Sequence, residues 1–158
     1  MEPLTLNNPP AVNVQMLIRV PARDAFQAFI DPDITSNFWF SRSDGPLKVG
    51  IPNRFYFDMY NISGPVNVMS IEEDKRIQIE WGDAPHDSRV EWTFEDRGDN
   101  TTLVKICNNG FSGDGDSQMA IAIDSMGGFA MLLAGAKAWL EHNIELKLTS
   151  DSFPDGHP

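Results

Sequence analysis

The segment GGFAMLLAGAKAWLEHNIELKL, residues 127–148, constrains the fold more than any other stretch. It closes the one long helical pattern in the chain. Met119, Ile123, Met126, Phe129 (or Ala130), Leu133 and Ala136, continued by Leu140 and Ile144, recur three or four residues apart and form a single apolar stripe. Such a stripe has to be covered, and most of the sequence before it reads as short strands. A sheet is therefore the only partner large enough. Gly127, Gly128 and Gly135 interrupt the apolar part, and each costs a helix about 1 kcal/mol relative to Ala. Two readings explain them. Either they leave volume between helix and sheet, with the pliable Met126 and Met131 as neighbours, or they permit tight helix–sheet packing.

The strand assignments come from alternation. Residues 12–20 place Val12, Val14, Met16, Ile18 and Val20 at period two. Pro21 then opens a helix with Ala25, Phe26, Phe29 and Ile30 on one face. Asp31-Pro32 ends it and starts a second short helix. From Pro46 onward the pattern is strands joined by polar turns, as in an antiparallel meander. Over residues 54–61, Phe55, Phe57 and Met59 point one way. A strand at residues 64–71 follows, then Ile77, Ile79 and Trp81 share a face. Val90, Trp92 and Phe94 do the same in the next strand, and Val104, Ile106 and Asn108 in the last. Asp116 or Ser117 is the expected cap of the final helix, which extends to about Leu148. Residues 12–148 read as a single domain, and residues 1–11 and 149–158 as flexible tails.

Charge narrows the partners. The 158-residue chain carries a formal net charge of -11, so nucleic-acid phosphates and anionic membranes repel it. Its most apolar window, residues 129–133, is too short for membrane insertion. The lone Cys107 has no internal partner, and the first residues lack the basic-then-apolar pattern of a secretory signal. A reducing, cytoplasmic location is the expectation.

Several stretches carry a resemblance. These are Asp31-Pro32 followed by Phe38-Trp39, Gly64 and Val66, Trp81, Thr102, Gly110-Phe111, and the closing helix. In that order and spacing they resemble the activator-of-heat-shock-protein-90-ATPase homologue family, within the START-like (SRPBCC) helix-grip superfamily. The matches run through nearly all of residues 12–148. The chain departs from the family pattern at Phe129, where a Trp is frequent, and at Asn108-Asn109, where a His is frequent. The resemblance implies an α+β fold in which a curved antiparallel sheet of about seven strands wraps the C-terminal helix, with two short helices after the first strand and a cavity inside. It does not imply one chemistry. Superfamily members bind apolar ligands, catalyse cyclisation or hydrolysis, or act through protein contacts.

Catalytic signatures are sparse. His86, His142 and His157 offer no metal-ligand spacing, and no phosphate loop or nucleophile motif occurs. No catalytic residue, metal or cofactor is assigned. Asp124, beside the stripe, is the carboxylate with a claim to be an acid or base. Cys107 falls on the outward side of its strand. The inward aromatic set is the better candidate for ligand binding. From the strands it comprises Phe55, Phe57, Met59, Trp81, Trp92 and Phe94, with Ile106 and the polar Asn108. From the helix come Met126, Phe129 and Leu133, and Phe38 and Trp39 gate or plug one end. The leading expectation is a carrier of a small apolar or amphipathic ligand. The alternatives are a chaperone-linked interaction domain, a homodimer among its partners, and a cyclase- or hydrolase-type enzyme.

Overall fold

The computed structural model describes residues 1–157. Strand β1 (Val12–Ile18) leads into helices α1 (Ala22–Ile30) and α2 (Pro32–Thr35). Strands β2 (Arg42–Ser43), β3 (Asn53–Phe57), β4 (Ile62–Glu72), β5 (Arg76–Trp81), β6 (Ser88–Gly98) and β7 (Thr101–Asn109) follow. Helix α3 (Gly115–His142) and a short α4 (Leu148–Asp151) close the chain. The strands form one seven-stranded sheet in the order β1-β7-β6-β5-β4-β3-β2. Every pairing is antiparallel. This is the α+β helix-grip fold expected from the sequence, with both short helices in place.

Curvature has a local cause. The register slips between Val68 and Ser70 on β4 and between Asp96 and Gly98 on β6. An extra residue on one strand of a pair bends it, and the sheet curls toward α3. Facing residues line up across the middle of the concave side. Val90 lies opposite Asn108, Trp92 opposite Ile106, and Phe94 opposite Val104. Five of these six residues are at most 1% exposed and Phe94 is 5% exposed.

Helices α1 and α2 fill one end of that concavity. Phe26 and Phe29 of α1 are buried. Their rings pack on Phe94 at 5.6 and 6.0 Å, and Phe29 also meets Phe38 edge-on at 5.5 Å. Aromatic pairs in this geometry add to ordinary burial. The Thr35 hydroxyl donates to Ala28 O at 2.5 Å. It thus satisfies a carbonyl in the last turn of α1 that the helix itself leaves without a partner. Thr102 Oγ1 donates to Val20 O at 2.9 Å and ties the last strand to the turn before α1.

Helix α3 lies chiefly along β1. It starts earlier and ends earlier than the sequence pattern implied. Its N-cap is Asp114, whose side chain accepts from the Ser117 amide at 2.8 Å, rather than Asp116 or Ser117. The Asp116 carboxylate instead accepts from the Leu4 amide at 3.1 Å. The helix stops at His142 because Asn143 turns left-handed (φ 53°), a conformation Asn tolerates better than most residues. Near its end, Lys137 Nζ donates to Leu17 O at 2.8 Å and to Glu141 Oε2 at 2.5 Å, and Glu141 Oε2 accepts from the Arg19 amide at 3.0 Å. By length and composition α3 is also apolar enough to cross a membrane, contrary to the estimate from residues 129–133 alone. In the fold it serves as the helix that covers the sheet.

Both tails take part in the structure. Gly115 lies so close to Leu4 that a Cβ on it would come within 1.8 Å of the Leu4 carbonyl oxygen. At the other terminus, where fraying was expected, α4 forms and Tyr60 Oη donates to Thr149 O. The Phe153 and His157 rings pack at a tilt, 4.5 Å apart, beside Tyr60.

Candidate functional site

The other end of the concave face is not filled by α1 and α2. A cleft of about 590 Å³ opens there between the strands, the first half of α3 and the C-terminal tail. Its wall is aromatic, and Trp39 is the hub. That ring lies 5.3 Å from Phe55, 5.7 Å from Trp81, 6.2 Å from Phe57 and 6.2 Å from Phe129. Trp81 and Phe129 are themselves 5.6 Å apart. Trp39 reaches this position because α2 ends at Thr35 and the chain turns back, with the Trp39 amide bonded to Thr35 O at 3.0 Å.

The glycines split into two kinds. A Cβ on Gly127 or Gly128 would meet nothing within 4 Å, and both residues border the cleft. A Cβ on Gly135 would lie 3.2 Å from Phe38 O and 3.3 Å from Phe38 Cβ. The first pair leaves volume, and the third permits close packing.

The floor is polar and specifically bonded. Asn108 is 1% exposed. Its Nδ2 donates to Arg89 O at 2.7 Å and to Ser88 Oγ at 3.0 Å, and its Oδ1 accepts from Ser125 Oγ at 2.7 Å. Trp81 Nε1 donates to the same Ser88 Oγ at 3.2 Å. Ser88 sits opposite Trp81 across the β5–β6 pair, so the indole reaches it directly. A buried amide is costly unless its partners are supplied, and here all its groups are paired.

Of the residues singled out from the sequence, Trp39, Phe57, Trp81, Asn108 and Phe129 border the cleft. Phe55, Trp92, Phe94, Ile106 and Leu133 lie behind them, buried in the core and away from the cleft surface. Trp92 Nε1 is buried there without a hydrogen-bond partner. Three residues fall elsewhere. Phe38 plugs the packed end against Phe29 and Gly135. Met59 is 40% exposed because β3 stops at Phe57 and residues Asp58–Tyr60 form a 3-10 turn, which breaks the alternation. Met126 is 48% exposed and is not among the residues that border the cleft. Asp124 borders the cleft but is exposed at its rim. Cys107 does lie off the concave side, in a groove of about 540 Å³ with Asn13, Gln15 and Glu91. Burial, then the Glu91 charge, raise its thiol pKa, and a weak contact from Asn109 offsets this only in part.

Sequence reasoning missed Ser88, Ser125, Tyr60 and the tail residues Thr149 and Phe153, all of which border the cleft. The only available signal was register: Ser88 begins the strand that follows Trp81, and Ser125 precedes Phe129 by one helical turn. Among the described residues, no cluster of His, Cys, Asp and Glu is arranged to hold a metal.

The fold has many solved counterparts. SSP2350 from Staphylococcus saprophyticus superposes with a TM-score of 0.73 at 22% identity, over 87% of this chain and 96% of its own. CalU16 from Micromonospora echinospora gives 0.74 at 17% identity, over 99% of this chain and 81% of its own. The Aha1 dimer from Colwellia psychrerythraea gives 0.71 at 18% identity, over 84% and 97%. At these identities the likeness is one of fold. No curated protein matches significantly. The family described as Activator of Hsp90 ATPase homolog 1-like protein matches residues 19–141, most of the chain, and the chain belongs to that family.

Proposed function

We propose that the protein binds a small, largely apolar molecule in the cleft between the sheet and the first half of α3. The observation that carries this reading is the open volume beside Gly127 and Gly128, walled by Trp39, Trp81 and Phe129. A volume of about 590 Å³ falls in the usual range for small-molecule sites, which combine apolar walls with a few fixed polar groups. Among the described residues, the buried polar side chains are Thr35, Asn53, Thr102 and Asn108. None is ionisable, and the His and Asp side chains that border the cleft, His86, Asp124 and His157, are all exposed, which favours a carrier over a cyclase or hydrolase.

The test uses N-phenyl-1-naphthylamine, an uncharged dye that brightens in apolar sites. The protein should bind it saturably, with quenching of Trp fluorescence through Trp39 and Trp81. Gly128→Trp places an indole in open space and should weaken binding at least tenfold without lowering the melting temperature. No saturable binding, or equal binding by G128W, would overturn the reading.

The family match favours a second reading, in which the acidic outer surface contacts a heat-shock ATPase. Stimulation of that ATPase by this protein, unaffected by G128W, would support it. The absence of both association and stimulation would remove it.

A further inference from the structure

The hydrogen-bond inventory of the cleft floor says which ligand head group fits; the argument rests on the ligand-binding reading above. Asn108 fixes the proton positions. Its Nδ2 faces the Arg89 carbonyl at 2.7 Å, and a carbonyl can only accept, so the amide orientation is determined. The second Nδ2 hydrogen then goes to Ser88 Oγ. Asn108 Oδ1 has no hydrogen, so the 2.7 Å contact with Ser125 takes the Ser125 proton. Trp81 Nε1 can only donate, and it donates to Ser88 Oγ.

A serine hydroxyl has one hydrogen and two acceptor positions. Both acceptor positions of Ser88 are occupied, so its remaining capacity is to donate. Ser125 has spent its hydrogen, so its remaining capacity is to accept. Both residues border the cleft, and one carboxamide bridges them, which keeps donor and acceptor side by side. Among the described residues no Lys or Arg borders the cleft; its one carboxylate is Asp124, and the His86 and His157 imidazoles also line it. The whole chain adds a net charge of -11.

We infer that the ligand is an uncharged molecule with an apolar body and a hydroxyl group, the hydroxyl accepting from Ser88 and donating to Ser125. A carboxylate or phosphate is a poor fit. It offers acceptors alone, faces the oxygen of Ser125 unpaired, and finds no Lys or Arg for its charge. An ether accepts from Ser88 but has nothing to give Ser125.

Displacement of bound N-phenyl-1-naphthylamine by 1-decanol, decyl methyl ether and decanoate at pH 8 separates the cases. Decanol should displace about fivefold more effectively than the ether, the ratio one neutral hydrogen bond supplies, and more effectively still than decanoate. Ser125→Ala should bring decanol and the ether to parity. Ser88→Ala should weaken both together. Far-ultraviolet circular dichroism and melting confirm that each variant is folded, and the wild-type series stands without them. Equal displacement by all three ligands would overturn the head-group assignment while leaving the apolar cleft intact. A preference for decanoate would overturn it in favour of an anion site. Failure of the dye itself to bind would overturn both readings.

Discussion

The two ends of the concave face are built from the same strands and behave oppositely. Along β6, Phe94 meets Phe26 and Phe29 at the closed end, whereas Ser88 meets only the polar floor at the open end. Helix α3 shows the same division. Phe129, Leu132, Leu133 and Ala136 in its second half are at most 3% exposed, while Ile121, Ile123 and Met126 in its first half are 38%, 69% and 48% exposed. One curved sheet can therefore support a solid core and an open cleft, depending on whether α1 and α2 occupy the space. Stability should reside at the closed end and tolerance to change at the open end.

The largest effect should separate the ends directly. Phe29→Ala removes a buried ring with three aromatic neighbours, Phe38, Trp92 and Phe94. It should cost about 3–5 kcal/mol in urea unfolding. Ile123→Ala should stay within about 0.5 kcal/mol. Comparable losses at the two sites would break the contrast.

Next comes the clasp at the end of α3. Burial works against ionisation of Glu141, but it is outweighed by the hydrogen bonds from Lys137 and the Arg19 amide and by the Lys137 charge, so its pKa lies below the ordinary value of 4.5. Because the folded value is the lower one, this contribution is present above the unfolded pKa and disappears as pH falls through the folded pKa. Glu141→Gln should cost about 1–2 kcal/mol at pH 7. It should also flatten the acid limb of the stability–pH curve below about 4.5. An unchanged acid limb would show that the clasp adds nothing there.

The smallest effect is the sharpest comparison, since it concerns one substitution type on one helix. Gly128→Ala enters open space and should stabilise by about 1 kcal/mol through helix propensity. Gly135→Ala pushes against the Phe38 backbone, which the plug holds in place. It should show no gain, or a loss of up to about 1 kcal/mol. Equal gains at both sites would mean that the packed end is more yielding than its contacts indicate.

The parts legible in the sequence were those governed by strict period. Alternation correctly turned Phe55, Trp92, Phe94, Ile106 and Asn108 inward, because a strand paired on both sides has no freedom to rotate. The pattern failed where that constraint ends. Met59 follows the last paired residue of β3, and Asn61 is left-handed at φ 53°. The stripe on α3 overstated its own burial for a related reason: periodicity reports which residues share a face, and the sheet covers only half of that face's length. Ser88 and Ser125 carry no hydrophobic signal, and their roles arise from Asn108, distant in sequence from Ser88 by 20 residues and from Ser125 by 17. The contacts of the tail carry no local signal, because Tyr60 and Phe153 lie far apart in the chain.

The clasp between Lys137, Glu141 and the strand beneath them also occupies part of the edge of the sheet. Strand β1 is one border of the sheet, and free main-chain groups on a border invite another molecule to extend it. The Leu17 carbonyl and the neighbouring Arg19 amide are already engaged by side chains of α3. The opposite border, β2, is only two residues long, too short a template to recruit a foreign strand. Two of the groups at the end of one border are thus occupied by an ionic latch, and the other border offers only two residues to pair with.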